Sequence, residues 1–498
     1  MARIAVIGAG MGAMATAARL AVAGHRVAVY ERAATYGGAV GSFERAGFVF
    51  DTGPGLVHLP AVWRDLFLKT GREPLEKCVG LVQVDPASSH LFADGTRVTL
   101  PNASRAGIVS ALDAALGGGA GERWGDFLGR ARDAWDRSRR PLLEEPLRPD
   151  RQLLERDPYP ALRQRRLLRT RQASTVAEVG ARELADPRLA ALLDGCVLGY
   201  GLDPRHAPAG ASLLPYMEQT FGSWYVTGGL RELARAVYER CVARRVEFVF
   251  GAEVVSVVEK DGRAAGVELA GGEVVPADHV VACTGAVPPA GRELWAAGDV
   301  RPRAEAAGGL PGRFTVLLAL RGARPRSAAH RTVVHSPDTG AEAEAVFGGR
   351  LADRPTVTVS RPDDPAGRPD GDHEAVTLSA TVAGPSGGVD WSDGALRERY
   401  AETLVDAAAR ALGESPGALR ERLLWREVLT PAETGSTPAP ALAGPGGRHL
   451  HPANTTRLPG LYLAGGHAHP GGGLAHAGMS GALVAGLIVE GADFRGSQ

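Results

Sequence analysis

An α/β fold is predicted for this chain of 498 residues, on three observations. The first is an N-terminal unit of strand, glycine turn, helix and strand. Ile4-Ala5-Val6-Ile7 leads into Gly8-Ala9-Gly10-Met11-Gly12-Ala13, then small and apolar residues to Ala23, then Val27-Ala28-Val29-Tyr30. Unbroken apolar runs of this kind suit parallel strands covered on both faces. The second observation is a strand, glycine loop and helix at the other end: Leu461-Tyr462-Leu463-Ala464, residues 465–473, and residues 475–490. The third is a middle region in which 314–320 and 375–382 read as strands of a second sheet, so two layered units share the chain.

Composition sets the outer limits. Hydrophobic residues make up 44% and charged residues 22%, enough for a large core and inconsistent with wholesale disorder. The length predicts about two to four domains, or one large composite one. Lys+Arg and Asp+Glu are both 56, and a chain without net charge is not that of a nucleic-acid protein. Cys78, Cys196, Cys241 and Cys283 are far apart and form no C-x-x-C pair, which argues against zinc sites and redox dithiols. No signal peptide is evident, and no uninterrupted apolar run reaches the ~18 residues of a bilayer span. A cytoplasmic location follows as the expectation, with peripheral attachment to the cytoplasmic membrane face left open.

The elements follow in order. Gly24 should stop the first helix. A strand–turn pattern covers 45–54, and 62–70 reads as a helix. Residues 91–98 read as a hairpin turning at Asp94-Gly95. Residues 107–172 look mainly helical, and between 130 and 171 there are 13 Arg against 7 acidic residues, with leucines interleaved. Further on, 230–244 is a helix, and 246–250, 253–259, 266–269 and 280–283 are strands. A helix covers 395–412, and 431–447 is a Pro/Gly/Ala loop.

Gly8-x-Gly10-x-x-Ala13 is a dinucleotide fingerprint with alanine in third place. The first glycine allows the tight turn, the second lets backbone approach a pyrophosphate, and the small third residue lets helix and strand pack closely. The helix N-terminus then offers free N–H groups to the phosphates. Glu31 follows 23 residues after Gly8, where a carboxylate accepts bonds from a ribose. Other segments narrow the reading. Glu31-Arg32 is followed by the pair Gly37-Gly38, and Phe50-Asp51-Thr52-Gly53-Pro54 supplies a second close-approach turn. Residues 459–473, with Gly465-Gly466-His467 and His469-Pro470-Gly471-Gly472-Gly473, close the chain. Together these resemble the FAD-dependent phytoene desaturase family, which shares a fold with amine oxidases. Trp224-x-x-x-Gly228-Gly229 and Gly251-Ala252-Glu253-Val254 extend the resemblance over nearly the whole length.

The resemblance implies a Rossmann-like FAD-binding domain assembled from residues 1–75, 225–290 and 440–498. An α+β substrate-binding domain would come from 76–224 and 291–439. It implies cofactor contacts at Gly8, Gly10, Met11, Gly12, Ala13, Glu31, Arg32, Gly38, Ala39, Gly53 and Pro54. Val254 would meet the adenine, and Gly466, His467, Gly472, Gly473 and Leu474 would face the flavin and pyrophosphate. Where the family usually has Arg or Lys after the glycine pair, this chain has Ala39. His469, in the family's His-Pro pair, is the candidate catalytic residue, positioning substrate beside the flavin, and His58 is a further candidate for the cavity wall. No metal site is expected from His467, His469 and His476, which lack an accompanying carboxylate or cysteine. The arginine–leucine stretch 130–171 has two readings, a solvated helical cap or a membrane-facing helical lid.

The function implied is FAD-dependent desaturation of a long apolar polyene, a carotenoid or carotenoid-like chain, with hydride transfer to flavin N5. With one nucleotide fingerprint, reoxidation falls to a quinone or O₂ rather than NAD(P)H. Two alternatives stand beside it. One is another flavoenzyme on the same fold, such as a polyene isomerase, a saturase or an amine oxidase. Lys69, Lys77 and Lys260 lie outside the segments expected at the flavin, against the amine oxidase. The other is a lipid-binding escort without chemistry.

Overall fold

The computed structural model describes residues 1–150, 152–163, 170–284 and 309–496, with backbone alone at 163, 170 and 171. Two sheets organise the chain. The first has five parallel strands in the spatial order Glu247–Phe250, Arg26–Glu31, Arg3–Ile7, His279–Ala282, Leu461–Leu463. Strand order reverses direction beside Arg3–Ile7, and ligands of open α/β sheets bind at the carboxyl ends of strands at such a switch point. Val6 and Val29, at the centre, have no exposed surface, as the apolar runs require. These five strands fall in residues 3–31, 247–282 and 461–463, so the first sheet closes only when the two ends of the chain meet.

The meeting is made by two helices, Met11–Val22 and Leu474–Glu490. A Cβ on Gly481 would sit 2.7 Å from the Gly12 carbonyl oxygen and 2.9 Å from the Ala15 Cβ. Only hydrogen fits at that crossing. With the turn that follows it, the closing helix is long and apolar enough to cross a bilayer by length and composition. Its packing, against the first helix and against Val62 and Trp63 at Gly478, is that of a core helix.

The second sheet has seven strands in the order Leu423–Leu429, Gly312–Arg321, His373–Val382, Val357–Ser360, Arg331–Val334, Ser88–Leu91, Arg97–Leu100. All pairs are antiparallel except Arg331–Val334 with Ser88–Leu91. Strand His373–Val382 alternates strictly. Val376, Leu378, Ala380 and Val382 are buried with Leu404 and Val405 of the helix Gly394–Leu412, while Thr377, Ser379 and Thr381 face the other way, into a cavity.

The stretch expected to be mainly helical is only half so. Helices Arg105–Leu116 and Ala120–Arg139 are followed by one wide turn, Arg140–Glu144. Beyond it the described residues are irregular up to the paired two-residue strands Leu162–Arg163 and Thr170–Arg171, because Pro146, Pro149, Pro158 and Pro160 each remove a backbone donor. Four arginines of this stretch are in ion pairs, Arg130 with Glu183 at 2.7 Å, Arg132 with Asp136 at 3.5 Å, Arg139 with Glu144 at 3.2 Å and Arg140 with Glu145 at 2.6 Å, while Arg137 and Arg148 donate to the Pro158 and Phe494 carbonyls. Leu142, Leu147 and Leu154 are buried against Ala441, Ala443 and Leu450. Leu153 is 68% exposed. Leu167, Leu168 and the arginines at 165, 166 and 169 lie outside the described residues.

Candidate active site

One cavity of about 1370 Å³ runs from the carboxyl ends of the parallel strands to the polar face of the second sheet. Pockets for drug-sized ligands reach roughly 1,000 Å³, so this one has room for a large cofactor and a second molecule.

At one end lies the fingerprint. Gly8 has φ +94°, a conformation closed to side chains with a Cβ, and its N–H donates to the Tyr30 carbonyl at 2.8 Å. Gly10 sits at the mouth of helix Met11–Val22, whose first turn has no side-chain cap. A Cβ added to Gly10 would meet nothing within 4 Å and would stand in the cavity. That is the cradle a pyrophosphate requires, with unclaimed helix N–H groups beside it. Met11, Gly12 and Ala13 line the same wall, although Gly12 mainly serves packing: its Cβ would be 2.9 Å from the Ala477 carbonyl oxygen.

Glu31 ends its strand at the cavity wall. Its Oε2 accepts from the Ala9 N–H at 2.6 Å and its Oε1 from the Ala33 N–H at 2.8 Å, which fixes the carboxylate at the fingerprint turn. Arg32, Gly38, Ala39, Gly53, Pro54 and Val254 line the cavity around it. At the opposite side Gly466, His467, Gly473 and Leu474 form the wall, and helix Leu474–Glu490 opens there, again without a side-chain cap. Two helix N-termini thus meet one cavity from two sides, a field suited to phosphates and to developing negative charge.

Two expected site residues are elsewhere. His469 has no exposed surface and does not reach the cavity. Its ring Nε2 lies 2.9 Å from the Glu145 carbonyl oxygen, and its own carbonyl accepts from Asn454 Nδ2 and Ser480 Oγ, both at 2.8 Å. The loop turns this side chain inward, and burial holds its pKa at about 4, so it stays neutral and structural. Gly472 also misses the cavity, because a Cβ there would lie 1.7 Å from the Pro438 carbonyl oxygen. It packs two loops together. Of the three histidines on this segment, His467 and His476 face the cavity, and burial lowers both pKa values, His476 to about 4.

Asp51, in the Phe-Asp-x-Gly-Pro turn, lines the cavity but aims its carboxylate at protein. Oδ1 accepts from the Leu230 N–H at 2.8 Å, so Asp51 caps helix Leu230–Ala243. Burial, only partly offset by those backbone bonds, raises its pKa to about 7. Asp364 does the same for the turn before that helix, accepting from the Tyr225 hydroxyl at 2.9 Å and the Gly228 N–H at 2.6 Å.

Local motifs do not reveal the far end of the cavity. Glu218 pairs with Arg331 at 3.3 Å, and His58 lies 3.7 Å from its other oxygen. Burial acts to raise the Glu218 pKa, but His58, Arg331 and the Tyr200 hydroxyl outweigh it and keep the carboxylate ionised. Arg313 enters from the second sheet and donates to the Gly199 carbonyl at 3.2 Å. These residues are spread over positions 58 to 331, and the only sequence signal is the alternation Thr377-x-Ser379-x-Thr381, which reads as a solvated strand face. None of Lys69, Lys77 and Lys260 lines the cavity.

The comparisons agree with this geometry. The sequence matches the family described as flavin containing amine oxidoreductase over residues 14–489. It is 29% identical to the 4,4'-diapolycopene oxygenase of a Methylomonas species, covering 98% of both chains. It is 29% identical to the neurosporene-forming phytoene desaturase of Rhodobacter capsulatus, over 98% of this chain and 94% of that one. In structure it resembles an oxidoreductase from Methanosarcina mazei, with a TM-score of 0.63 at 18% identity over 97% and 99% of the two chains. The glycine cradle at Gly10, the fixed Glu31 carboxylate and the two open helix ends fit FAD, and this chain, an FAD-dependent oxidoreductase, belongs to the flavin containing amine oxidoreductase family.

Proposed function

We propose that the protein desaturates a long acyclic polyene of carotenoid type. The observation that carries this is full-length similarity to proteins named as desaturases and an oxygenase of such chains, on a cavity that continues past the cofactor end to a second wall. The absence of lysine from that cavity argues against amine oxidation. When bound, FAD would supply the two-electron oxidant for the loss of a hydride from one saturated carbon and a proton from its neighbour as the C=C bond forms.

The chain's own part is to bind, orient and exclude water. Gly10 admits the cofactor closely, Gly38 and Gly53 let the neighbouring backbone at Gly10 and Ala39 pack into the wall, and Glu31 holds the ribose. The second sheet roofs the substrate. Asp51, whose pKa burial raises to about 7, caps helix Leu230–Ala243 and so fixes the wall beside the cofactor end. The electrons leave to a quinone or O₂.

The test is anaerobic. Acyclic polyenes of different saturation are mixed with the FAD-loaded enzyme, and bleaching of the flavin is followed with the mass of the product. The expected result is bleaching with loss of two hydrogens per new double bond. Bleaching by amines and by none of the polyenes overturns the proposal.

A further inference from the structure

The roof of the cavity is unusually polar for a hydrocarbon. Thr315, Thr358, Ser360, Thr377, Ser379 and Thr381 all line it, the Thr381 hydroxyl donating to the Leu198 carbonyl at 3.3 Å. The register makes them continuous: Ser360 is opposite Thr377, Thr358 opposite Ser379, and Ser379 opposite Thr315. At two corners of this patch stand arginines, Arg331 opposite Ser360 and Arg313 opposite Thr381.

The charges there do not balance. Glu218 is the acid at this end, and it is already held by Arg331, His58 and Tyr200. Burial keeps His58 below its ordinary pKa, His330 at about 4 and His335 at about 3, so the imidazoles add no compensation and no acid. Burial likewise keeps Cys196 and Tyr200 protonated. Of the other carboxylates on the cavity wall, Asp51 is engaged with Leu230, Asp364 with Tyr225 and Gly228, Glu433 with Arg397, and Glu31 with Ala9 and Ala33, while Glu253 stands at the cofactor end, where the Ala252 N–H donates to the Glu31 carbonyl. Arg313 forms no ion pair among the described residues, and burial and the nearby Arg331 act to lower its pKa. One guanidinium charge is therefore in excess. A desolvated cation and a row of hydroxyls facing an apolar chain would be costly unless the ligand brings acceptors.

We propose that the substrate carries a carboxylate at one end of its long apolar chain, and that Arg313 receives it, with the hydroxyl rows of the second sheet around it. Arg313 offers two parallel donors matched to a carboxylate. The inference rests on the polyene reading above for the chain, but the anion site stands on the residues themselves.

The test uses the FAD-loaded enzyme and three acyclic polyenes of equal length: a hydrocarbon, a terminal carboxylate and its methyl ester. Anaerobic flavin reduction is measured against concentration. A saturated long-chain carboxylate and the matching alcohol are titrated in parallel, read by the flavin absorbance change on binding. Wild type is expected to prefer the carboxylate to the ester by about 10–100-fold in apparent affinity, the range of a charged hydrogen bond. Arg313→Met should lose that preference, and Arg313→Lys should recover much of it, with flavin content and thermal melting reporting that each variant is folded.

Equal affinity for carboxylate and ester in wild type overturns the proposal, as does an unchanged preference in Arg313→Met. Loss of flavin in both Arg313 variants, with folding intact, would assign the residue to the cofactor and overturn it too. If no polyene reduces the flavin but the saturated carboxylate still binds through Arg313, the polyene reading fails and the anion site stands.

Discussion

At the scale of single residues, neighbouring positions divide between ligand and scaffold according to where a Cβ would point. Gly10 faces open cavity, so Gly10→Val should fill the place of the pyrophosphate. FAD affinity is expected to fall more than about tenfold, equivalent to ~1.4 kcal/mol, with folding retained. Titration of the flavin-free variant with FAD checks this. His469 lies on the other side of the division. His469→Ala removes its bond to the Glu145 carbonyl and leaves a small void. It should cost about 1–3 kcal/mol of stability while flavin reduction per bound FAD stays that of wild type. A melting curve with the reduction rate separates the two effects.

Asp51 gives a pH dependence whose sign follows from its raised pKa of about 7. A carboxyl that is harder to ionise when folded stabilises the fold fully below its unfolded value near ~4, and that contribution is lost as pH rises through ~7. The flavin-free protein should therefore lose on the order of 3 kcal/mol from this group between pH 4 and 8. Asp51→Asn, which keeps an acceptor for the Leu230 N–H, should flatten that decline, measured by melting temperature across the pH range.

At the scale of elements, the crossing of Met11–Val22 with Leu474–Glu490 joins the two ends of the chain. Gly481→Val would drive a side chain to within 2.7 Å of the Gly12 carbonyl oxygen and 2.9 Å of the Thr16 nitrogen. Neither backbone can retreat without moving the fingerprint turn, so the expected cost is more than about 3 kcal/mol, at the upper end of overpacking. FAD should be lost with stability, read together by flavin content and unfolding. The turn at 48–54 and the helix at 230–243 are coupled in a similar way, through Asp51. The two motifs sit together because one supplies the acceptor for the other's first N–H groups.

At the scale of the whole molecule, the proposed polyene substrate partitions into lipid rather than water, which motivates a test of membrane attachment. In the described part of the 130–171 segment Arg130, Arg132, Arg139 and Arg140 are in ion pairs and most leucines are inside, leaving Leu153 as the large apolar side chain turned outward. Attachment is proposed to centre on Leu153 and the arginines that follow it. Leu153→Ser should reduce sedimentation with phosphatidylglycerol-containing vesicles at low salt. Equal sedimentation of both forms, or none of the wild type, excludes attachment by this segment.

Arg331–Val334, Val357–Ser360 and Leu423–Leu429 were not legible in the sequence itself, whereas the N-terminal βαβ unit, the cofactor fingerprint with Glu31, the closing strand and helix, the strands of the first sheet and four of the seven strands of the second were. Each is a local pattern in which spacing dictates geometry: two glycines for a turn, an apolar run for a buried strand, alternation for a half-covered one. What the tertiary structure decided was which side chains of those patterns meet the cavity. His469 and Gly472 belong to a motif that faces the cofactor, yet the loop folds one beneath itself and presses the other on Pro438. Of the helical reading of 107–172, the part up to Glu144 stands, and among the described residues beyond it Pro146, Pro149, Pro158 and Pro160 break it. The cluster of Glu218, Arg331, Tyr200 and Arg313 left no trace in any window of sequence, because its members come from separate helices and strands and converge only when the second sheet closes over the first. Spacing along the chain encodes what is near in sequence, and a buried charge is recognised only by what packing brings around it.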